Sequence, residues 1–166
     1  KALAQEIYDK LIIPNNCKTV LELGSGAGSL AFFLREISKN TLTVVTLDGN
    51  KESINSPYIE KDYHFILRTD REYNLLDENN NNVKFDLVLS FEHFEHITAG
   101  ENFSIFLQNI ENHISKNTLI LASASLQQGP GYWHPNIKSY EDWSLFLIEN
   151  RFEMMDSNFV RDDTVP

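Results

Sequence analysis

The stretch VLELGSGAGSLAFFL, residues 20–34, decides the fold. An aliphatic run ends at Gly24, further glycines follow at Gly26 and Gly28, and apolar residues then recur at helical spacing. Glycines let the backbone turn sharply and approach a ligand closely, and the start of a helix offers unpaired N–H groups. The segment therefore predicts a buried strand, a ligand-binding loop and an amphipathic helix. A loop that merely packs the strand against the helix is the alternative.

The same alternation continues along the chain. Further strands are predicted at residues 42–47, 64–67, 85–91 and 118–122, and helices at residues 51–55, 102–114 and 140–150. Because these strands are hydrophobic throughout, they indicate a mostly parallel sheet that helices cover on both faces. The predicted fold class is therefore α/β, a Rossmann-like three-layer sandwich. Residues 152–159 can supply a sixth strand.

Length and composition limit the class of protein. The 166 residues suit a single domain, and we expect that the chain, which lacks an initiator Met, is trimmed at both ends. No apolar run approaches the ~20 residues of a membrane span. With 24 acidic and 14 basic residues, the net charge is −10, and no basic cluster is present to hold nucleic acid. A single cysteine fits a reducing compartment, which predicts a cytoplasmic protein.

An acidic residue, Glu22, lies two positions before the first glycine. The spacing G-x-G-x-G lacks the third glycine of a dinucleotide-binding loop, and the acid suits a cationic ligand better than a pyrophosphate. The sequence ELGSGAG, residues 22–28, resembles motif I of the class I S-adenosylmethionine-dependent methyltransferases. The resemblance implies S-adenosylmethionine as the cofactor. It also implies the residues that line the cofactor site, which are Glu22, Gly24, Ser25, Gly26 and Gly28.

Acidic residues also follow the second and third predicted strands. Asp48 resembles the family's acid that binds the ribose hydroxyls, and Gly49 would give the ribose room; capping of the helix from Lys51 onward is the alternative. Asp70 resembles the family's polar residue near the adenine amino group. A surface salt bridge with Arg68 competes with that interpretation.

The fourth predicted strand and its continuation, FDLVLSFEHFEHI at residues 85–97, resemble the family's motif IV. The resemblance implies that Ser90, Phe91 and Glu92 lie beside the methionine part of the cofactor. Histidine suits proton removal near neutral pH, and His96 is therefore a candidate general base. Bracing of the following loop is the alternative for His93 and His96. The order E-H-x-E-H matches no helical zinc motif and shows no third convergent ligand, so no metal is expected.

The loop after the fifth predicted strand combines turn residues, aromatic residues and an imidazole. Tyr132 and Trp133 can form the wall of an acceptor pocket, and His134 is the second candidate base. A packed surface loop is the alternative. The run is also similar to small methyltransferases of bacterial glycan and cell-surface biosynthesis, which implies a small-molecule or sugar acceptor. The residues that carry this similarity are Gln128, Gly129, Gly131, His134, Asn136 and Trp143.

These observations predict S-adenosylmethionine-dependent methyl transfer to an oxygen or nitrogen of a small molecule or sugar. Two alternatives stay open: a nicotinamide-dependent oxidoreductase and a non-catalytic module that binds the cofactor for a partner. The family's sheet has seven strands, of which the last two form an antiparallel hairpin. Since only the seven residues VRDDTVP follow residue 159, the last antiparallel strand is expected to be missing or to lie beyond Pro166. The sequence does not specify the oligomeric state.

Overall fold

Five parallel strands form the sheet, in the order β3-β2-β1-β4-β5. This computed structural model describes residues 1–125, 134–149 and 152. With β1 at the centre, β2 and β3 extend to one side, and β4 and β5 extend to the other. The described part of the chain thus has the α/β architecture that the sequence predicts. The strands are Thr19–Leu23 (β1), Thr43–Asp48 (β2), His64–Ile66 (β3), Leu87–Phe91 (β4) and Leu119–Ser123 (β5).

Helices cover the sheet. None of those in the described ranges has the length and apolar character that crossing a membrane requires. The α-helices are Ala2–Ile7 (α1), which a π-helical turn at Tyr8–Ile12 continues, Ser29–Ile37 (α2), Glu101–Glu111 (α3) and Tyr140–Glu149 (α4). Short 3₁₀ helices occupy Lys51–Asn55, Lys61–Tyr63 and Phe94–His96.

The sheet separates two apolar cores. Side chains alternate across a strand, so Val20 faces one core while Leu21 and Leu23 face the other. The core on the Val20 side contains residues of α1 and α2, including Ala31. The opposite core contains α3 and Trp143 of α4. Burial on both faces explains why the strand sequences are hydrophobic throughout.

Most predicted boundaries differ from the structure by one or two residues. The fourth strand begins at Leu87 and not at residue 85, because the Asp86 carboxylate accepts the backbone N–H of Lys18 at 2.7 Å. The predicted helix at 102–114 is wrong at its end, since α3 stops at Glu111. His113 lies two residues further on, and its imidazole accepts the N–H of Leu75 at 2.8 Å.

Some predictions fall on residues that the structure does not describe. The expected sixth strand lies outside the described residues except for Phe152. The same holds for most of the loop after β5, namely Gln128, Gly129, Gly131, Tyr132 and Trp133.

Candidate functional site

The glycine loop lies at the carboxyl end of β1, where it turns into α2. The N–H groups of Gly24 and Ser25 both donate to the Leu47 carbonyl, at 2.8 and 3.1 Å, which ties the loop to the end of β2. Gly28 precedes the first residue of α2 with a φ of +75°, and Gly24 has a φ of +69°. Residues other than glycine rarely adopt these values. A Cβ at Gly24 would stand 2.5 Å from Cγ of His93, so that position requires glycine for space as well.

Asp48 joins the glycine loop to the second strand. Its Oδ2 accepts the N–H of Gly26 at 2.6 Å, and its Oδ1 accepts the N–H of Asn50 at 2.8 Å and the hydroxyl of Ser53 at 3.0 Å. The cap of the following 3₁₀ helix is Asn50, whose side chain accepts the N–H of Glu52 at 3.0 Å. The alternative interpretation of Asp48 as a simple helix cap therefore does not describe its geometry.

Open space lies on both sides of this carboxylate. Apart from the neighbours in sequence, no described residue places a heavy atom within 4 Å of the position that a Cβ would take at Gly26, and the same is true at Gly49. Gly26 is hydrogen-bonded to Asp48 and Gly49 follows it in sequence. A ligand that approaches Asp48 across these two glycines meets backbone rather than side chains.

Two buried side chains near the loop each carry an oxygen atom without a partner in the described part of the chain. Oε2 of Glu22 and Oγ of Ser25 have no hydrogen-bond partner among the residues that the structure describes. Burial raises the pKa of Glu22 to about 8, and the proximity of Asp48 adds to the shift, while Arg35 opposes it. Because a buried polar atom without a partner is costly, a polar ligand at the loop would relieve that cost. The site thus fits a ligand with polar groups that can pair with these two oxygen atoms.

The end of β4 supplies a second set of polar groups. In the sheet Ser90 pairs with Leu23, the last residue of β1, so the two strand ends lie side by side. The residue after β4, Glu92, has φ of +48°, and its Oε1 accepts the hydroxyl of Ser123 at 2.7 Å. Phe91 is half-buried and packs on the α2 side of the sheet. The predicted trio of Ser90, Phe91 and Glu92 therefore lies where β4 meets β1 and β5.

His93 follows β4 and packs against the glycine loop. Its ring stands against Gly24 and edge-on to Phe106, with ring centroids 5.5 Å apart. Burial lowers the pKa of His93 to about 4, so its imidazole is neutral at physiological pH. His93 thus packs against the glycine loop and α3.

The two candidate bases lie next to each other. The rings of His96 and His134 have centroids 4.7 Å apart and are nearly perpendicular, at 80°. Glu95 joins them: one ligand atom from each of the three side chains lies within 4.8 Å of the other two. The sequence showed no third group converging with the histidines of residues 85–97. In the structure the converging group is His134, on the loop after β5. The third member of the cluster is Glu95 and not His93.

Asp70 is paired with arginine. Both its carboxylate oxygens accept hydrogen bonds from Arg68, at 2.9 and 2.7 Å, and Arg71 lies 3.9 Å away. The pKa of Asp70 is lowered by the hydrogen bonds from Arg68. In the described part of the chain, the other predicted site residues make no hydrogen bond with Asp70. The competing interpretation, a surface salt bridge, describes its geometry.

The fold defines a Rossmann-like domain, and the residues described above lie at the carboxyl ends of β1, β2 and β4, the edge at which open α/β sheets bind ligands. A family model described as "Methyltransferase domain" matches residues 2–162. The chain therefore belongs to this family of methyltransferase domains. A search of curated protein sequences gives no significant match.

Solved structures share the fold at low sequence identity. The methyltransferase domain of bacterial CtHen1 is 13% identical with a TM-score of 0.56, over 89% of this chain and 81% of that one. DesVI of Streptomyces venezuelae is 13% identical with a TM-score of 0.57, over 75% and 50%. The glycopeptide N-methyltransferase MtfA, in complex with S-adenosyl-L-homocysteine, is 16% identical with a TM-score of 0.51, over 73% and 47%. The chain thus spans about half the length of the last two.

Proposed function

We propose that this chain transfers a methyl group from S-adenosylmethionine to an oxygen or nitrogen of a small molecule or sugar. The observation that carries the proposal is the contact between Gly26 and Asp48, whose N and Oδ2 atoms are 2.6 Å apart, with open space at Gly26 and Gly49. Family membership gives the reaction class. The acidic net charge of −10 supports a small acceptor over a nucleic acid.

The chain's own residues bind and orient the nucleoside. A carboxylate has about four lone-pair sites, so Asp48 keeps one beyond the three hydrogen bonds that it already accepts, and a carboxylate in this place can accept a hydrogen bond from a ribose hydroxyl. Gly24, Gly26 and Gly28 let the ligand approach the backbone, and Gly49 leaves room beside the ribose. Asp70 is the candidate contact for the adenine amino group. It would have to leave its pair with Arg68.

The methionine part is assigned to the region around Glu22 and the end of β4. When bound, S-adenosylmethionine supplies a methyl group activated by a sulfonium. The partnerless oxygen of Glu22 and the hydroxyl of Ser25 are suited to polar groups of that end of the molecule, and an ionised Glu22 would attract its positive charge. Ser90, Phe91 and Glu92 border the same region from β4.

The acceptor is assigned to the edge where β4 and β5 end. His96 and His134 lie there as adjacent imidazoles, and an imidazole in contact with an acceptor can receive its proton. Holding the acceptor in line with the methyl group and excluding water are the protein's other contributions to such a displacement. We therefore assign His96 and His134 as the catalytic residues.

The test is transfer of an isotopically labelled methyl group from S-adenosylmethionine to pools of small hydroxylated and aminated acceptors, with sugars as a separate pool. The proposal predicts label in at least one pool, which replacement of His96 and His134 by alanine together reduces at least about tenfold. Cofactor binding without transfer to any acceptor would contradict the proposal and favour a non-catalytic module.

A further inference from the structure

The cluster formed by Glu95, His96 and His134 offers more than a proton acceptor. Its three ligand atoms lie within 4.8 Å of one another. We propose that these residues form a binding site for a divalent transition-metal cation, with Zn²⁺ as the reference ion. The site itself does not depend on the proposed methyl transfer.

The chemistry of the three side chains favours this class of ion. Two imidazole nitrogens and one carboxylate oxygen are the protein ligands of many catalytic zinc sites and of iron sites with open positions. Imidazole selects such ions over Mg²⁺ and Ca²⁺, which prefer oxygen ligands. Three protein ligands also leave at least one position for water or an oxygen of a substrate.

The spacing requires a modest adjustment. Zinc binds nitrogen and oxygen at about 2.0–2.2 Å, so two ligands of one tetrahedral ion lie about 3.4 Å apart. The separations between the ligand atoms, which reach at most 4.8 Å, therefore have to shorten by up to about 1.4 Å. Because the side chain of His96 is exposed at the end of a short 3₁₀ helix, rotation about its own bonds can supply that change.

Glu95 gives an independent reason to expect a cation. Its side chain is fully buried, and Oε1 accepts the N–H of Ser125 at 2.8 Å. Oε2 has no hydrogen-bond partner among the described residues. The N–H of Asn136 donates to the Glu95 carbonyl at 3.2 Å, which also ties the loop that carries His134 to this residue. A buried carboxylate oxygen without a partner is costly, and a metal ion is one of the groups that compensates for it.

The position of the cluster gives the cation a role. Glu95 and His96 follow β4, and Ser125 follows β5, so the cluster lies at the edge assigned to the acceptor. A cation in this place would take an acceptor oxygen as a ligand and make its proton more acidic. With the cation bound, His96 and His134 act as its ligands. General base catalysis by either imidazole belongs to the metal-free form.

The test is calorimetric titration of the chelator-treated protein with Zn²⁺, followed by the visible absorption of bound Co²⁺ as a report on imidazole ligands. Wild-type protein is expected to bind one ion. His96→Ala and His134→Ala should each weaken binding at least about tenfold, since even outer-sphere partners of a metal have that effect. Glu111→Gln, which removes an exposed carboxylate on α3, is the matched control for Glu95→Gln and should bind as the wild type does.

Unchanged Zn²⁺ affinity and an unchanged Co²⁺ spectrum in both histidine variants would overturn the proposal. Should the buried Glu95→Gln variant fail to fold, the exposed His96→Ala variant still decides. Binding of S-adenosylhomocysteine is measured in the same samples. Binding of the metal without binding of S-adenosylhomocysteine would contradict the proposed function and support the metal site. Binding of S-adenosylhomocysteine without binding of the metal would contradict the metal site and leave the proposed function standing.

Discussion

The two halves of the site are built in different ways. The first half, formed by the glycine loop and Asp48, comes from residues 22–49 and is fixed by backbone contacts, such as the 2.8 Å bond from Gly24 N to the Leu47 carbonyl. In the second half, His96 follows β4 and His134 lies on the loop after β5, and their side chains meet at one edge of the sheet. The first half therefore depends on glycine geometry, whereas the second depends on which side chains meet above β4 and β5.

The first half should fail most severely when its backbone geometry is blocked. In Gly24→Val the new side chain collides with the ring of His93 and occupies a left-handed conformation. We expect a loss of roughly 3 kcal/mol or more in the free energy of unfolding, measured by urea denaturation. Gly49→Ala is the control, because its Cβ meets open space at ordinary φ, and it should change stability by less than about 0.5 kcal/mol. Equal losses in both variants would contradict the role of backbone geometry.

Glu22 gives the first half a pH dependence. The carboxyl has a pKa of about 8 in the folded protein against an ordinary value of 4.5, so between these values it is ionised only in the unfolded chain. The free energy of unfolding should therefore fall as pH rises from 4.5 to 8, by up to about 1.4 kcal/mol per pH unit from this group. Glu22→Gln cannot ionise.

The measurement is the difference between the stability curves of wild type and Glu22→Gln, taken by urea denaturation from pH 4 to pH 9. The variant should gain stability relative to the wild type as pH rises through that range. A difference that stays constant with pH would show that Glu22 ionises with an ordinary pKa.

The second half should respond in rate rather than in stability. His96→Ala removes an exposed side chain, so we expect a change in the free energy of unfolding within about 0.5 kcal/mol. Methyl transfer should slow about tenfold or more if the imidazole takes part in the chemistry. The measurement compares kcat of the variant with that of the wild type, with and without added Zn²⁺. A kcat equal to that of the wild type in both conditions would show that His96 takes no part in the mechanism.

The same contrast explains what the sequence could predict. The strand–loop–helix of residues 20–34 and the acid at Asp48 are local patterns, so the fold and the first half of the site follow from them. The convergence of Glu95 with His134 depends on β5 lying beside β4 and on the path of the loop after it. The path of that loop cannot be predicted from the spacing of residues along the chain. Asp70 is a different case, because its exposed carboxylate can pair with two flanking arginines, and residue order alone does not decide between that pair and a ligand contact.

The central claim is that the glycine loop and Asp48 together hold one adenosyl ligand, and calorimetric titration with S-adenosylhomocysteine tests it most directly. The account predicts binding to the wild-type chain, at least about tenfold weaker binding to Asp48→Asn, or about 1.4 kcal/mol, and wild-type affinity for Asp62→Asn, an exposed carboxylate elsewhere. No binding to the folded wild-type chain, or equal affinity in all three proteins, would contradict it.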